Sequence, residues 1–117
     1  MHSELLLDHF KNPRNVGELP APATTVVVSN PACGDELHLS ARFDQNRIAE
    51  AKYRVRGCTA SIAAGSALTE WIIGKSIAEV KELTPKRVEE LLDGLAPESK
   101  HAAVLAVDGV KRLISLL

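Results

Sequence analysis

The chain has 117 residues with a formal net charge of −1, 45% hydrophobic and 25% charged residues, and aromatics at 3%. That length suits one compact domain, residues 1–117, burying about two thirds of its unfolded surface. Near-zero charge with few rings speaks against nucleic acid, which selects a basic face and stacking aromatics. No apolar run approaches the ~20 residues of a membrane span, and no leader pattern opens the chain. The expected setting is the reducing cytoplasm, where two thiols serve as ligands or reactive groups rather than as a disulfide.

Ser3 is placed to cap a short helix through Leu5, Leu6, Leu7 and Phe10, which Asn12-Pro13 stops. Residues 15–23 are rich in Pro and Gly and read as an ordered linker. The β-branched run Thr24 to Ser29 predicts a strand. From Glu36 to Phe43, Leu37, Leu39, Ala41 and Phe43 alternate with polar residues, the pattern of a half-buried strand. Asp44-Gln45-Asn46-Arg47 is turn chemistry, and Ile48 to Arg56 alternates again through Ala49, Ala51, Tyr53 and Val55. Short connections make these strands an antiparallel meander.

After Cys58 the period changes from two to that of a helix. Thr59 is the expected cap of a helix carrying Ile62, Ala63, Leu68, Trp71 and Ile72, ended at Gly74. Ser76 to Leu83 predicts a short helix. Thr84-Pro85 opens another over Lys86 to Leu92, which Asp93-Gly94 closes. Pro97 opens a long final helix with Val104, Val107, Val110, Ile114 and Leu117 at helical spacing. Gly109 inside it costs about 1 kcal/mol relative to alanine, which calls for a packing reason. The fold class is α+β: a small three-stranded antiparallel sheet covered on one face by helices, with a long C-terminal helix.

Three segments carry chemistry. Pro31-Ala32-Cys33-Gly34-Asp35 places a thiol and a carboxylate around a glycine that lets the backbone turn tightly. Cys58 follows Gly57 just before a helix start, where unpaired N–H groups favour an anion. His101 falls near the start of the last helix, followed by Ala102. Cys33, Cys58, Asp35 and His101 together offer four donors suited to zinc or to part of an iron–sulfur cluster. The plain alternatives are inert thiols, an Asp35 that only caps its turn, and a solvent-facing His101. Among the other polar and aromatic residues, His9 is expected to pack around the Asn12-Pro13 turn. His2 and His38 read as surface, Trp71 as core, and Arg14 and Lys75 as solvated charges.

The segment from Leu7 to Gly17 (LDHFKNPRNVG), the Pro31–Asp35 loop and Gly57-Cys58 resemble the IscU/NifU-type iron–sulfur cluster assembly scaffolds. So do Ala60 to Trp71 with Thr69-Glu70-Trp71, Gly74-Lys75, Leu105-Ala106 and Asp108. The resemblance spans nearly the whole chain. It implies a non-enzymatic scaffold or carrier that binds iron or a labile [2Fe–2S] cluster through Cys33, Asp35, Cys58 and His101. It also implies a cysteine desulfurase and iron–sulfur acceptor proteins as partners, and a monomer or a cluster-bridged dimer.

Two departures matter. The family's His-Cys pair is His101-Ala102 here, so the third ligand, which in many members also accepts sulfur, is replaced by a side chain with no lone pair. The chaperone-recognition stretch, usually Leu-Pro-Pro-Val-Lys, reads Leu95-Ala96-Pro97-Glu98-Ser99. The alternative reading is a zinc-binding paralogue that accepts sulfur or regulates a desulfurase without building clusters.

Overall fold

A computed structural model describes residues 2–31 and 34–117. Its elements run α1 (Glu4–Lys11), β1 (Thr24–Ser29), β2 (Glu36–Asp44), β3 (Arg47–Arg56), α2 (Thr59–Ile72), α3 (Ile77–Val80), α4 (Pro85–Leu91), a 3-10 turn (Pro97–Ser99) and α5 (His101–Ser115). The sheet is the expected antiparallel meander in the order β1-β2-β3. Its register pairs Val26 with Leu39 and Leu39 with Tyr53, and pairs Val28 with Leu37 and Leu37 with Val55. This puts the apolar positions of all three strands on one face, as the period of two requires. α2 lies on that face against β3, and α5 packs against β1, β2 and α2.

The alternation in β3 breaks at one point. Ile48 is buried, whereas Ala49 is only half-buried. A register shift between Arg42 and Phe43 pairs Phe43 with Ile48, and an extra residue of this kind exchanges the two faces of a strand locally. The turn beyond it places Gln45 and Asn46 at φ 51° and 66°, the left-handed pair of a tight hairpin.

The linker 15–23 is ordered, as expected, by backbone bonds that its composition did not show. The Tyr53 N–H donates to Asn15 O, the Gly17 N–H donates to Tyr53 O, and Val16 pairs with Tyr53 in a parallel bridge. Leu19 then covers the outer face, its N–H donating to Ser40 Oγ at 3.1 Å. This is why Ser40, on the polar side of β2, is 1% exposed.

Helix ends follow local chemistry with small shifts. Ser3 caps α1 through Leu6 N, and Thr84 caps α4 through Arg87 N. α2 starts one position earlier than the sequence suggested: Cys58, not Thr59, is the cap residue, and its thiol makes no cap bond. Pro97 opens a 3-10 turn, so the α-helical part of the last helix begins at His101.

Two glycines explain how closely the layers meet. A Cβ on Gly109 would lie 2.8 Å from Leu37 Cδ2, the packing reason expected for a glycine inside α5. A Cβ on Gly65 would lie 2.3 and 2.4 Å from ring atoms of Tyr53. Tyr53 is thereby buried between β3 and α2, with its hydroxyl donating to Ile62 O at 2.7 Å.

Burial raises the phenol from an ordinary value of 10.0 to about 12, more than the nearby Ser66 hydroxyl lowers it. A raised value means the folded chain holds this proton more tightly than the unfolded chain does. The associated stability is therefore complete below pH 10.0 and is lost as pH climbs toward about 12. Because the chain has a single tyrosine, absorbance at the phenolate band during alkaline titration reads this group alone. A midpoint near 12 is expected, and a midpoint near 10 would contradict the buried environment.

Candidate metal centre

Three of the four expected ligands converge. Asp35 stands immediately before β2, Cys58 at the end of the β3–α2 connection, and His101 at the first residue of α5. Cys58 Sγ lies 3.3 Å from Asp35 Oδ2 and 3.5 Å from His101 Nε2, and His101 Nε2 lies 3.3 Å from Asp35 Oδ2. A tetrahedral centre with bonds of about 2.1 Å has edges between ligand atoms of about 3.4 Å. The triangle therefore already has the dimensions of three corners of such a centre. Cys33 lies outside the described residues.

The loop around Asp35 is tied by its own backbone: Gly34 N–H donates to Asn30 O at 2.7 Å and Asn30 N–H to Asp35 O at 2.8 Å. Gly34 has φ +77°, a conformation that favours glycine, as the tight turn after Cys33 suggested. The Asp35 carboxylate does more than cap this turn. It reaches across to the start of α2, accepting from the Ser61 hydroxyl, the Cys58 thiol and the Cys58 backbone N–H. Its residue is 5% exposed.

Burial by itself would raise the Asp35 carboxyl pKa. The bonds from Ser61 and Cys58, together with the neighbouring His101, outweigh burial and hold it below the usual range. The carboxylate is thus anionic and available as a ligand. Gly57 makes this approach possible, since a Cβ there would sit 2.5 Å from Asp35 Cγ.

Exposure divides the work. Asp35 is enclosed, the His101 side chain is 26% exposed, and Cys58 is exposed. A metal or cluster held here would be anchored from inside by the carboxylate and face solvent on the thiol side. His101 is accordingly part of the triad rather than a solvated residue at a helix end. Ala102, the next residue, is 1% exposed and packs into the core.

Ser61 was not singled out by sequence reasoning, yet its hydroxyl touches both Asp35 Oδ2 and, at 3.4 Å, Cys58 Sγ. The available signal was a small polar residue three positions after the thiol, on the same face of a helix. His9 is a packed residue, as expected. Its Nδ1 accepts from Arg14 Nη1 at 3.2 Å and from Ser66 Oγ at 2.7 Å, an arrangement that needs a neutral ring. Burial first, and the Arg14 charge second, lower its pKa. Arg14 is not simply solvated, because it also pairs with Asp8 at 2.6 Å. Lys75 lies 4.5 Å above the ring of a half-buried Trp71.

Comparison with known proteins agrees along the whole chain. Residues 1–116 match the family model for the NifU-like N terminal domain. The "Iron-sulfur cluster assembly scaffold protein IscU 1" of Archaeoglobus fulgidus is 40% identical over 97% of this chain and 74% of its own. The "Iron-sulfur cluster assembly enzyme IscU" of Drosophila melanogaster is 38% identical over 98% of this chain and 77% of its own. A crystal structure from thermophilic Fervidobacterium islandicum AW-1, proposed to be an iron–sulfur cluster assembly scaffold for the SUF system, shares the fold. Its TM-score is 0.82 at 22% identity, over 97% of this chain and 96% of that one.

Proposed function

The chain belongs to the NifU-like N-terminal domain family, and from that premise we propose that it is an iron–sulfur cluster assembly scaffold or carrier. Its cargo is iron or a labile cluster, of which [2Fe–2S] is the form we propose, held by Asp35, Cys58 and His101 with Cys33 as the fourth ligand. Residues 1–117 act as one domain. The observation that carries this reading is the triangle of donor atoms with edges of 3.3 to 3.5 Å at the meeting point of β2, α2 and α5.

Cys33 stands two residues before Asp35 in sequence. When bound, the iron supplies the Lewis-acid and redox character of the cargo. The protein's own work is to hold it: Asp35 fixes it from the buried side, His101 orients a nitrogen toward it, and Cys58 presents it to solvent. A set of two thiolates with one oxygen and one nitrogen donor binds a soft cluster less firmly than four thiolates do. Loose holding at an exposed thiol suits a protein that must give its cluster away.

The relatives' names favour cluster assembly over the zinc-binding alternative. A cysteine desulfurase is the proposed sulfur source and iron–sulfur apoproteins the proposed acceptors. Ala102 removes one sulfur-accepting position, so sulfur would arrive at Cys33 or Cys58. The altered stretch 95–99 weakens the case for the dedicated chaperone pair. A reducing compartment such as the cytoplasm would keep the exposed Cys58 thiol competent; among the described residues, no helix is long and apolar enough to cross a membrane.

Anaerobic reconstitution with ferrous iron and sulfide tests the function. Visible absorption and Mössbauer spectra of a bound cluster are expected after desalting. Protein that emerges without iron or sulfide would refute the reading.

A further inference from the structure

Asp35 is the buried corner of the triad, and its carboxylate is held by several donors at once. Its Oδ2 atom lies 3.3 Å from Cys58 Sγ and 3.3 Å from His101 Nε2, and the same atom accepts the Ser61 hydroxyl. Ser61 is 2% exposed and sits in the first turn of α2, so water has little access to this bond. On another side the carboxylate packs against the bare Cα of Gly57, where a Cβ would come within 2.5 Å of Asp35 Cγ.

Metal binding changes the balance of these contacts. A thiolate that ligates metal has lost its proton, so the Cys58 S–H bond to Asp35 disappears. Of the donors holding the carboxylate, the Ser61 hydroxyl and the Cys58 backbone N–H then remain. A carboxylate has about four lone-pair sites, so one oxygen can accept from serine while it binds metal.

We propose that Ser61 is a positioning residue for the metal centre: through its buried hydroxyl it holds the Asp35 carboxylate turned toward Cys58 and His101, and so sets the affinity of the site. This rests on the reading of the triad as a metal centre. Groups that orient a ligand without touching the metal typically contribute 10- to 100-fold in affinity. Ser61 has the geometry of such a group, and α2 carries it at a fixed offset of three residues from Cys58.

The test is anaerobic titration with cobalt(II) against a chromophoric chelator, using the whole chain, Ser61→Ala, Asp35→Ala and the double variant. The parent chain is expected to bind cobalt with a thiolate-to-cobalt charge-transfer band. Ser61→Ala should keep that band, because Cys58 still ligates, while affinity falls about 10- to 100-fold. In the Asp35→Ala background the same change should alter affinity less than twofold, since the group through which Ser61 acts is gone. Equal losses in both backgrounds, or no loss in either, would overturn the positioning role while leaving the metal centre intact. A parent chain that takes up no cobalt would overturn the metal centre and the role of Ser61 together.

Discussion

Cys58→Ala is expected to lower iron or cobalt affinity by more than about a hundredfold, beyond what loss of an orienting group costs, while leaving the fold nearly unchanged. The thiol is one of three donors whose separations already match a tetrahedral face, so removing it breaks that face, leaving Asp35 and His101 3.3 Å apart with only the proposed Cys33 as a thiolate partner. Cys58 is exposed and its side chain makes no cap bond for α2; its thiol bond to Asp35 is lost, but the Ser61 hydroxyl and the backbone N–H of residue 58 still hold that carboxylate. Substitutions at such positions usually change stability by no more than about 0.5 kcal/mol. The experiment therefore pairs two readings on one variant: iron retained after desalting, and the thermal midpoint. Loss of iron with an unchanged midpoint supports the centre. Iron retention equal to that of the parent chain would remove Cys58 from it, and the geometric argument with it.

Gly65→Ala is expected to be the most damaging small substitution for stability. Alanine is the better helix former by about 1 kcal/mol, so a surface helix would gain from the change. Here the new Cβ would sit 2.3 Å from one Tyr53 ring atom and 2.4 Å from another. Tyr53 has no room to yield, being 1% exposed and bonded through its hydroxyl to Ile62 O. α2 would have to lift from the sheet, and overpacking of this kind costs about 1–3 kcal/mol and occasionally more. We expect a net loss near the upper end, about 3 kcal/mol, which for a chain of this size lowers Tm by roughly 10 °C. The shift should be accompanied by a fall in the Tyr53 pKa toward its ordinary value, as the ring becomes accessible. A variant as stable as the parent would mean that helix and sheet do not meet as closely as described.

The two predictions probe different layers of one arrangement. α2 carries Cys58 and Ser61 of the candidate centre at its start and the close contact with Tyr53 further along. Lifting the helix at Gly65 would also disturb the corner where Asp35 meets Ser61. Gly65→Ala should therefore weaken metal binding as a consequence of packing, whereas Cys58→Ala weakens it with packing intact.

Most of the elements were legible in the chain because their signals are local. The alternating apolar residues of β2, the β-branched run of β1, the cap at Ser3 and the Thr84-Pro85 start each depend on a few neighbouring residues. Where reading was off by a residue or a face, a nonlocal contact decided. The bulge at Arg42/Phe43 put Ile48 inside in place of Ala49. The cap of α2 falls on Cys58 rather than Thr59: its backbone is extended, its carbonyl accepts the first helical bond from Ile62 N–H, and its own N–H goes to Asp35, far away in sequence. Residues 15–19 read as a linker, yet their backbone runs beside β3, and main-chain bonding of this kind leaves little trace in side-chain pattern.

The donor types, their settings next to Gly34, Gly57 and Ala102, and the likeness to cluster assembly scaffolds are written in the unfolded chain, because these are properties of single residues and short motifs. That Asp35, Cys58 and His101 come within about 3.5 Å of one another emerges only from the folded chain. Folding also buries Asp35 and brings the Ser61 hydroxyl onto its carboxylate. The reason is that ligand geometry depends on how β2, α2 and α5 pack. That packing is set by Gly57, Gly65 and Gly109, whose missing side chains carry no chemical signal until their neighbours are in place.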